Sequence, residues 1–274
     1  MSVTLRELQL CELESLKDIK AVCEKYGIRY YLSSGTLLGA VRHQGFIPWD
    51  DDVDIEMPYA DYLRFLQIAP VEMGDRYTLQ NSDTDPYFHF AYSRIRKNNT
   101  TMMREWERTI PSHHGVWVDI FPMVKVGGTM DYRTKRLMLK VCTFLRMHDY
   151  VFELNRKWLT EQGGYVQMTI VKAARKLPKT FRESLRNAML RYIFSQREKP
   201  YLTNVWTTIS RRIPKEAFDE PAAILQFEDA EFSAPRDYDC YLRISYGDYM
   251  TPPPENQRNG RHGDLILDLE HERT

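Results

Sequence analysis

Residues 34–55 read SGTLLGAVRHQGFIPWDDDVDI, which is a turn of small residues, a short helical segment and then a run of carboxylates. If residues 52–57 form a strand, their side chains alternate between its two faces, so Asp52 and Asp54 share one face. Two like charges about 7 Å apart along a strand repel each other unless a cation lies between them or both face water. Carboxylate oxygens suit hard divalent ions, so this stretch predicts a site for Mg2+ or Mn2+.

The acidic run has two other interpretations, a solvated turn and a calcium-binding loop. Asp50, Asp52 and Asp54 match positions 1, 3 and 5 of an EF-hand loop. Position 6, however, is Ile55 where the loop needs glycine, and position 12 is Asp61 where it needs glutamate. The flanking pattern predicts a strand rather than paired helices, so calcium is disfavoured, while the solvated turn stays open as the simpler alternative.

A third carboxylate, Asp119, stands in the apolar run of residues 116–121. Burying an unpaired carboxylate is costly, and the ordinary solution is a helix cap or an arginine partner. Taken with the two acids of the Asp-x-Asp pair, however, it completes three carboxylates on two strands, which fits a two-metal site. The candidate catalytic residues are therefore Asp52, Asp54 and Asp119, and the candidate metal ligands are these three together with Asp50.

The turn ahead of the short helix is a candidate phosphate site formed by Ser34, Gly35 and Thr36. A helix N-terminus offers backbone N–H groups and the positive end of the helix dipole to an anion. A Gly-Thr pair alone is a weak signal, because most such pairs are ordinary turns. Its position just ahead of the acidic run is what makes it informative.

The composition indicates a folded chain with an uneven distribution of charge. Its 274 residues are 43% hydrophobic and 12% aromatic, which argues against disorder and allows a sizeable core. The formal net charge is zero, yet residues 131–200 carry 16 Lys and Arg against 6 Asp and Glu, while the other residues carry 22 against 32. We therefore expect a core domain over residues 1–130, a basic helical insertion over 131–200, and a segment 201–274 that packs back on the core.

The hydrophobic pattern predicts an α+β fold, with a small mixed sheet flanked by helices and a helical insertion. Thr4 and Glu7 form a capping box that starts a helix, and Gly27 ends it. Pro58 opens another helix, which runs to about residue 69. The other predicted elements are a β run at 28–33, a helix at 36–43, strands at 88–96 and 116–121, a partner strand beginning at 100, and helices between 131 and 196.

The cysteines and the apolar pattern predict a cytoplasmic protein. Four cysteines show no C-x-x-C spacing, which favours reduced thiols and disfavours zinc. The first residues have no signal-peptide pattern, and no run approaches 18 apolar residues. The basic insertion is by default a solvated helical face. Peripheral contact with the inner face of the cytoplasmic membrane is the main alternative, and nucleic-acid binding is disfavoured because a recognition motif is missing.

The sequence from residue 31 to 55 resembles the LicD family, and so do the segments VDIFP at 118–122 and YGDYM at 246–250. The resemblance spans most of the chain and is weakest over 131–200. It implies a nucleotidyltransferase-like core and a phosphotransferase activity, with a relation to the fukutin-type ribitol-phosphate transferases. By position it implies a phosphate-binding turn at Gly35 and Thr36, an Asp-x-Asp metal motif at Asp52 and Asp54, and a third acid at Asp119.

Four other polar residues are candidates for binding the nucleotide. Arg42 lies in the matching block, where it is suited to hold a diphosphate. Arg94 and Arg96 share one face of a strand by period two and lie near the family's basic stretch, so both are expected to face the nucleotide cleft. Exposed strand charges are the alternative for this pair. His262 lies in a family-like segment, RNGRH at 258–262.

The candidate residues together predict a metal-dependent phosphotransferase. The resemblance to the LicD family implies that it moves a substituted phosphate, such as phosphocholine, from a CDP-linked donor such as CDP-choline to a hydroxyl of a glycan, lipid-linked glycan or teichoic-acid precursor. One alternative is nucleotidyl transfer with release of pyrophosphate. Another is a protein that binds CDP-ligands without turnover, although a silent site has little reason to keep three mutually repelling carboxylates.

Overall fold

The first helix, α1, has the two ends that the sequence predicts, and it spans Leu5–Tyr26 in this computed structural model. The Thr4 hydroxyl accepts the Glu7 N–H at 3.3 Å, and the Glu7 carboxylate accepts the Thr4 N–H at 2.7 Å. Gly27 ends the helix in the left-handed region, with a φ of 57°. The capping box and the glycine stop are therefore confirmed.

The residues that the structure describes are 3–147, 176–205, 212–258, 260 and 263–271.

A mixed sheet forms the centre of the fold around one long strand, β6 (Trp117–Val126). On one side β2 (Asp54–Pro58) runs parallel to it. On the other side β4 (Ser93–Lys97) pairs with its first half and β7 (Tyr201–Asn204) with its second half, both antiparallel. The outer strands are β1 (Tyr31–Leu32) on β2, β3 (Tyr77–Gln80) on β4, and β8 (Ile213–Pro214) on β7. With the helices that flank it, this sheet gives the predicted α+β architecture.

The helices between residues 34 and 193 lie close to where the pattern predicts them, whereas the helix near the C-terminal end was not predicted. Helix α2 (Ser34–His43) follows β1, and α3 (Tyr59–Glu72) begins directly after Pro58, which lacks the N–H that a first helical turn leaves unbonded. The described part of the basic segment contains α4 (Thr129–Arg146) and α5 (Lys179–Ile193), while its residues 148–175 lie outside the described ranges. A last helix, α6 (Tyr238–Tyr246), packs near α2. None of the described helices is both long enough and apolar enough to cross a bilayer.

The carboxylate strand is shorter than predicted, because Asp52 precedes it and β2 begins at Asp54. The Thr36 hydroxyl accepts the Asp54 N–H at 2.9 Å, so helix α2 fixes the point where the strand starts. Period-two alternation therefore does not place Asp52 and Asp54 on one strand face, and that expectation is wrong. The β run before α2 is also shorter than expected, since only Tyr31–Leu32 is strand.

The strand predicted at 88–96 begins only at Ser93, because residues 88 and 89 are irregular and residues 90–92 form bends. Its predicted partner, β5 (Thr101–Arg104), pairs instead with β11 (Leu265–Asp268) in a separate two-stranded sheet. The physical reason is that both edges of β4 are already occupied, by β3 and by β6. A further hairpin is formed by β9 (Ala223–Phe227) and β10 (Ala230–Ala234).

Among the described residues, two apolar clusters pack helices against the main sheet, and a third joins α1 to β5 and β11. The largest contains fully buried side chains from α1, α2, α3 and the sheet, among them Leu16, Leu37, Phe65 and Ile55. Each such side chain contributes about 1.5–3 kcal/mol through its removal from water. The second cluster joins α4 and α5 to the sheet through Phe121, Cys142 and Ile193.

Candidate functional site

Three charged residues lie side by side on neighbouring strands of the central sheet. Asp54 of β2 pairs in register with Asp119 of β6, and Asp119 pairs on its other side with Arg94 of β4. Residues paired in register on neighbouring strands point to the same face, and the strands lie about 4.8 Å apart. Two of the predicted catalytic acids, far apart in the sequence, are therefore neighbours in the fold.

The Asp119 carboxylate is held by Arg94. The arginine Nε donates to Asp119 Oδ1 at 2.6 Å, and its Nη2 donates to Oδ2 at 3.5 Å. Burial alone would lower the pKa of Arg94, but the charge of Asp119 outweighs it and raises the pKa above its ordinary value. The arginine partner that explains an ordinary buried aspartate is thus present. Each carboxylate oxygen has two lone pairs, so this pairing still leaves Asp119 able to bind another ligand.

Arg94 and Arg96 point to the same side of the sheet, as predicted, and both stack on Trp117. The centres of their guanidinium groups lie 4.4 and 4.9 Å from the indole centroid. Arg96 is buried, and it donates from Nε to the Gln80 side chain at 2.6 Å and from Nη1 to the Gly115 carbonyl at 2.8 Å. The alternative of exposed strand charges is therefore wrong for this pair. The Trp117 indole and the two guanidinium groups stacked on it thus pack together beside Asp119.

The small-residue turn is fastened by the C-terminal part of the chain. Tyr241, on α6, places its hydroxyl 3.1 Å from Ser33 Oγ and accepts the Ser34 N–H at 3.3 Å. Ser34 has a φ of 52°, a left-handed conformation that costs free energy for a residue other than glycine and that persists only where the surroundings enforce it. The first turn of α2, which contains Gly35 and Thr36, is thereby held next to the start of β2.

Gly35 and Asp50 are in direct contact. A Cβ atom placed on Gly35 would lie 2.5 Å from Asp50 Oδ2, so the carboxylate rests where a side chain would otherwise be. An anion is stabilised at the N-terminus of a helix by the helix dipole and by the N–H groups of the first turn. Glycine at this position therefore has a specific purpose, which is to let the acidic run approach the N-terminus of α2.

The acidic run forms a compact group of carboxylates. Asp50, Asp51 and Asp52 each offer one oxygen, and these oxygens lie within 4.8 Å of one another. Asp54 and Asp119 lie outside this triplet. Asp51, which sequence reasoning did not select, belongs to it, and a Cβ atom on Gly260 would lie 2.7 Å from the Asp51 carboxylate. An all-oxygen, negatively charged donor set of this kind fits Mg2+ or Mn2+.

Two arginines stand beside the acidic run. Arg42, the predicted diphosphate ligand, donates from Nη1 to the Tyr249 carbonyl at 2.8 Å. Burial, and then the positive charge of Arg258, lower the pKa of Arg42. Arg258 lies over the Trp49 ring, 5.3 Å from its centroid. His262 lies outside the described residues, but its neighbour in the RNGRH segment, Arg258, is a candidate anion ligand that sequence reasoning passed over.

Comparison with protein families identifies one matching model, described as LicD/FKTN/FKRP, nucleotidyltransferase domain, over residues 27–161. This range contains the small-residue turn, the acidic run and the Asp119–Arg94 pair. It leaves out α1 before residue 27 and the C-terminal part that supplies Tyr241 and Arg258.

Comparison with characterised proteins extends the similarity over nearly the whole chain. The lipopolysaccharide cholinephosphotransferase LicD of Haemophilus influenzae is 28% identical over 275 aligned positions, which cover 95% of this chain and 96% of that protein. The human ribitol 5-phosphate transferase FKRP is 28% identical over 111 positions, which are 39% of this chain and 22% of FKRP. Its mouse counterpart is 41% identical over the same length.

Proposed function

This chain belongs to the LicD family of phosphotransferases, and we propose that it transfers a substituted phosphate, such as phosphocholine, from a CDP-activated donor to a hydroxyl of a cell-surface glycan or teichoic-acid precursor. The observation that carries the proposal is the register of β2 and β6. It sets Asp54 beside Asp119, next to an acidic run that lies at the N-terminus of α2. The near full-length similarity to a cholinephosphotransferase supports phosphocholine as the first group to test.

The residues present fit a divalent ion. Asp50, Asp51 and Asp52, whose oxygens converge, would hold Mg2+ or Mn2+, and Asp54 and Asp119 on the neighbouring strands would complete the set, as the carboxylates of metal-dependent phosphoryl-transfer enzymes do. When bound, such an ion neutralises charge on the donor diphosphate and lowers the pKa of the acceptor hydroxyl. Little covalent chemistry is then required of the protein, because positioning and charge stabilisation account for most of the rate.

The other residues of the site would bind and orient the donor. The first N–H groups of α2, at Gly35 and Thr36, lack acceptors within the helix and would bind phosphate oxygens. Arg42 and Arg258 would hold the diphosphate, since a guanidinium matches the geometry of phosphate oxygens. Arg94 would fix the orientation of the Asp119 carboxylate through its Nε hydrogen bond.

The experiment is a product analysis. Purified protein is incubated with CDP-choline, MgCl2 and a lipopolysaccharide or teichoic-acid acceptor, and CMP and modified acceptor are measured by chromatography and mass spectrometry. We expect CMP release that requires the metal and is abolished by Asp52→Asn and Asp54→Asn. The matched control is Asp75→Asn, at an exposed position away from the acidic run. Release of pyrophosphate from CTP would favour nucleotidyl transfer, and donor binding without turnover would favour a silent binding protein.

We further propose peripheral contact with the inner face of the cytoplasmic membrane through α5. Phe181, Leu185 and Tyr192 are 54%, 39% and 48% exposed, and their spacing places them on one helical face. The same helix has four Lys and Arg against one Asp or Glu, a combination that suits anionic lipid. Flotation with anionic vesicles tests this, with Phe181→Ser as the variant and neutral vesicles as the control. Equal flotation with both vesicle types, or of both proteins, would contradict it.

A further inference from the structure

Helix α1 contains a fully buried carboxylate, that of Glu12. The Glu12 side chain is 0% exposed, and neither of its oxygens has a hydrogen-bond partner among the residues described. An ionised carboxylate in this condition is costly, because it has lost its hydration and has gained no hydrogen bond in return. Position 12 lies on the face of α1 that Leu8 and Leu16 bury, where an apolar residue would pack without this cost.

The neighbouring contacts of α1 show what Glu12 faces. One turn earlier on the same helix face, Gln9 Nε2 donates to the backbone carbonyls of Ile47 at 3.3 Å and Asp50 at 3.0 Å. Residues three apart lie next to each other on a helix surface, so Glu12 stands beside the acidic run. Its electrostatic surroundings agree with this position. Burial, and after it the negative charges of Asp52, Asp50, Asp51 and Asp54, raise the pKa of Glu12 well above its ordinary value.

Glu12 thus feels the negative charge of four aspartates, and three of these, Asp50, Asp51 and Asp52, bring oxygens within 4.8 Å of one another. Two unit charges 4 Å apart repel each other by about 4 kcal/mol at an effective dielectric constant of about 20. A cation removes this repulsion and gives an unpartnered buried oxygen an electrostatic partner. At this buried position an apolar residue would pack more favourably than glutamate. A carboxylate is, however, a suitable ligand for a divalent cation.

We propose that Glu12 is a further ligand of the divalent cation that the acidic run holds, and this inference rests on the metal site of the proposed function. Helix α1 then contributes directly to the site, although it lies outside the family-matching range 27–161. Gln9 would keep α1 and the acidic run next to each other through its hydrogen bond to the Asp50 carbonyl.

The first test compares Mn2+ binding by wild type and Glu12→Gln, with electron paramagnetic resonance of free Mn2+ as the readout. We expect the Kd to rise about 10- to 100-fold, at least the loss that follows removal of an outer-shell partner. In the metal-free protein the same variant should melt no lower than wild type, because it removes an unpartnered buried charge. Glu14→Gln is the matched control, since Glu14 lies two residues away, is 55% exposed and pairs with Lys97.

The second test uses Glu12→Cys, which replaces a hard ligand by a soft one. We expect Cd2+ to produce an ultraviolet thiolate-to-metal absorption that wild type, with its four native cysteines, does not show. Unchanged Mn2+ affinity in folded Glu12→Gln, or the absence of this absorption in folded Glu12→Cys, would overturn the role of Glu12 alone. If wild type binds no Mn2+ at all, the metal site of the proposed function fails, and the two failures are thereby distinguished.

Discussion

Asp119 lies between Asp54 and Arg94 in the register of the central sheet, so a carboxylate stands on one side of it and a guanidinium on the other. The Asp119–Arg94 pair is largely removed from solvent, since 6% of the Asp119 side chain and 12% of the Arg94 side chain are exposed. The proposed function therefore gives this pair two roles that separate experimentally. The arginine stabilises a buried negative charge, and the carboxylate, held in one orientation, is available to a cation.

We predict that Asp119→Asn destabilises the fold by about 3–5 kcal/mol, because it leaves Arg94 buried without its counter-charge. The double variant Asp119→Leu with Arg94→Met should recover most of this loss, since replacing both members of a buried ion pair by apolar groups is close to neutral. Urea unfolding measures both effects. Phosphotransfer should be lost in all of these proteins, and an active double variant would contradict a catalytic role for Asp119.

Gly35→Ala should weaken metal and donor binding. The new Cβ would lie 2.5 Å from Asp50 Oδ2, so the carboxylate must move away from the N-terminus of α2. The control is Gly128→Ala, a position where a Cβ atom meets nothing within 4 Å and where φ is −72°, which any residue adopts. Titration calorimetry with Mn2+ and CDP-choline measures the effect. Equal affinities for the two variants would show that Asp50 does not depend on this contact.

The features of the fold and of the site that depend on local sequence were predictable. The features that depend on contacts between distant residues were not. The capping box at Thr4, the glycine stop at Gly27 and the carboxylate in the apolar strand at Asp119 are each visible within a few residues. The start of β2 is different, because a hydroxyl from Thr36, eighteen positions earlier, determines it. Pairing of β5 with a strand more than 150 residues away leaves no mark on the local pattern.

Residues missed by sequence reasoning share the same cause. Glu12 occupies an apolar-face position of an otherwise regular amphipathic helix, and this is the one signal that would have identified it. Tyr241 and Arg258 reach the site only through tertiary packing of the C-terminal segment. Their types, an aromatic residue and an arginine, are too common to be selected without coordinates.

Thr36 is predicted to have two roles. Its hydroxyl fixes the start of β2, and its backbone N–H binds a phosphate oxygen. Its hydroxyl accepts the Asp54 N–H, so Thr36→Val removes this part-buried hydrogen bond and should cost about 1–3 kcal/mol of stability. Thr36→Ser keeps the hydroxyl and should lose much less. Thermal unfolding of the two variants measures the difference, and activity should follow the same order because Asp54 moves with its backbone. Equal melting temperatures would show that the hydrogen bond contributes nothing.

His89 makes the fold sensitive to acid. Burial, opposed in part by its contact with the Tyr87 carbonyl and reinforced by the charge of Arg94, lowers the pKa of His89 to about 4. In the unfolded chain the value is about 6.5, so between these two pH values the unfolded state binds the additional proton. Stability is therefore complete above about pH 6.5 and falls as the pH decreases toward 4, by up to about 3 kcal/mol from this group.

We predict that His89→Gln flattens this dependence, because glutamine cannot take up the proton and still offers a donor to the Tyr87 carbonyl. Urea unfolding at a series of pH values from about 7 down to about 4.5 gives the slope directly. His271→Gln is the matched control, since the side chain of His271 is 72% exposed at the other end of the chain and its replacement should leave the slope unchanged. If wild type and His89→Gln lose stability in parallel as the pH decreases, the acid sensitivity does not come from the protonation of His89.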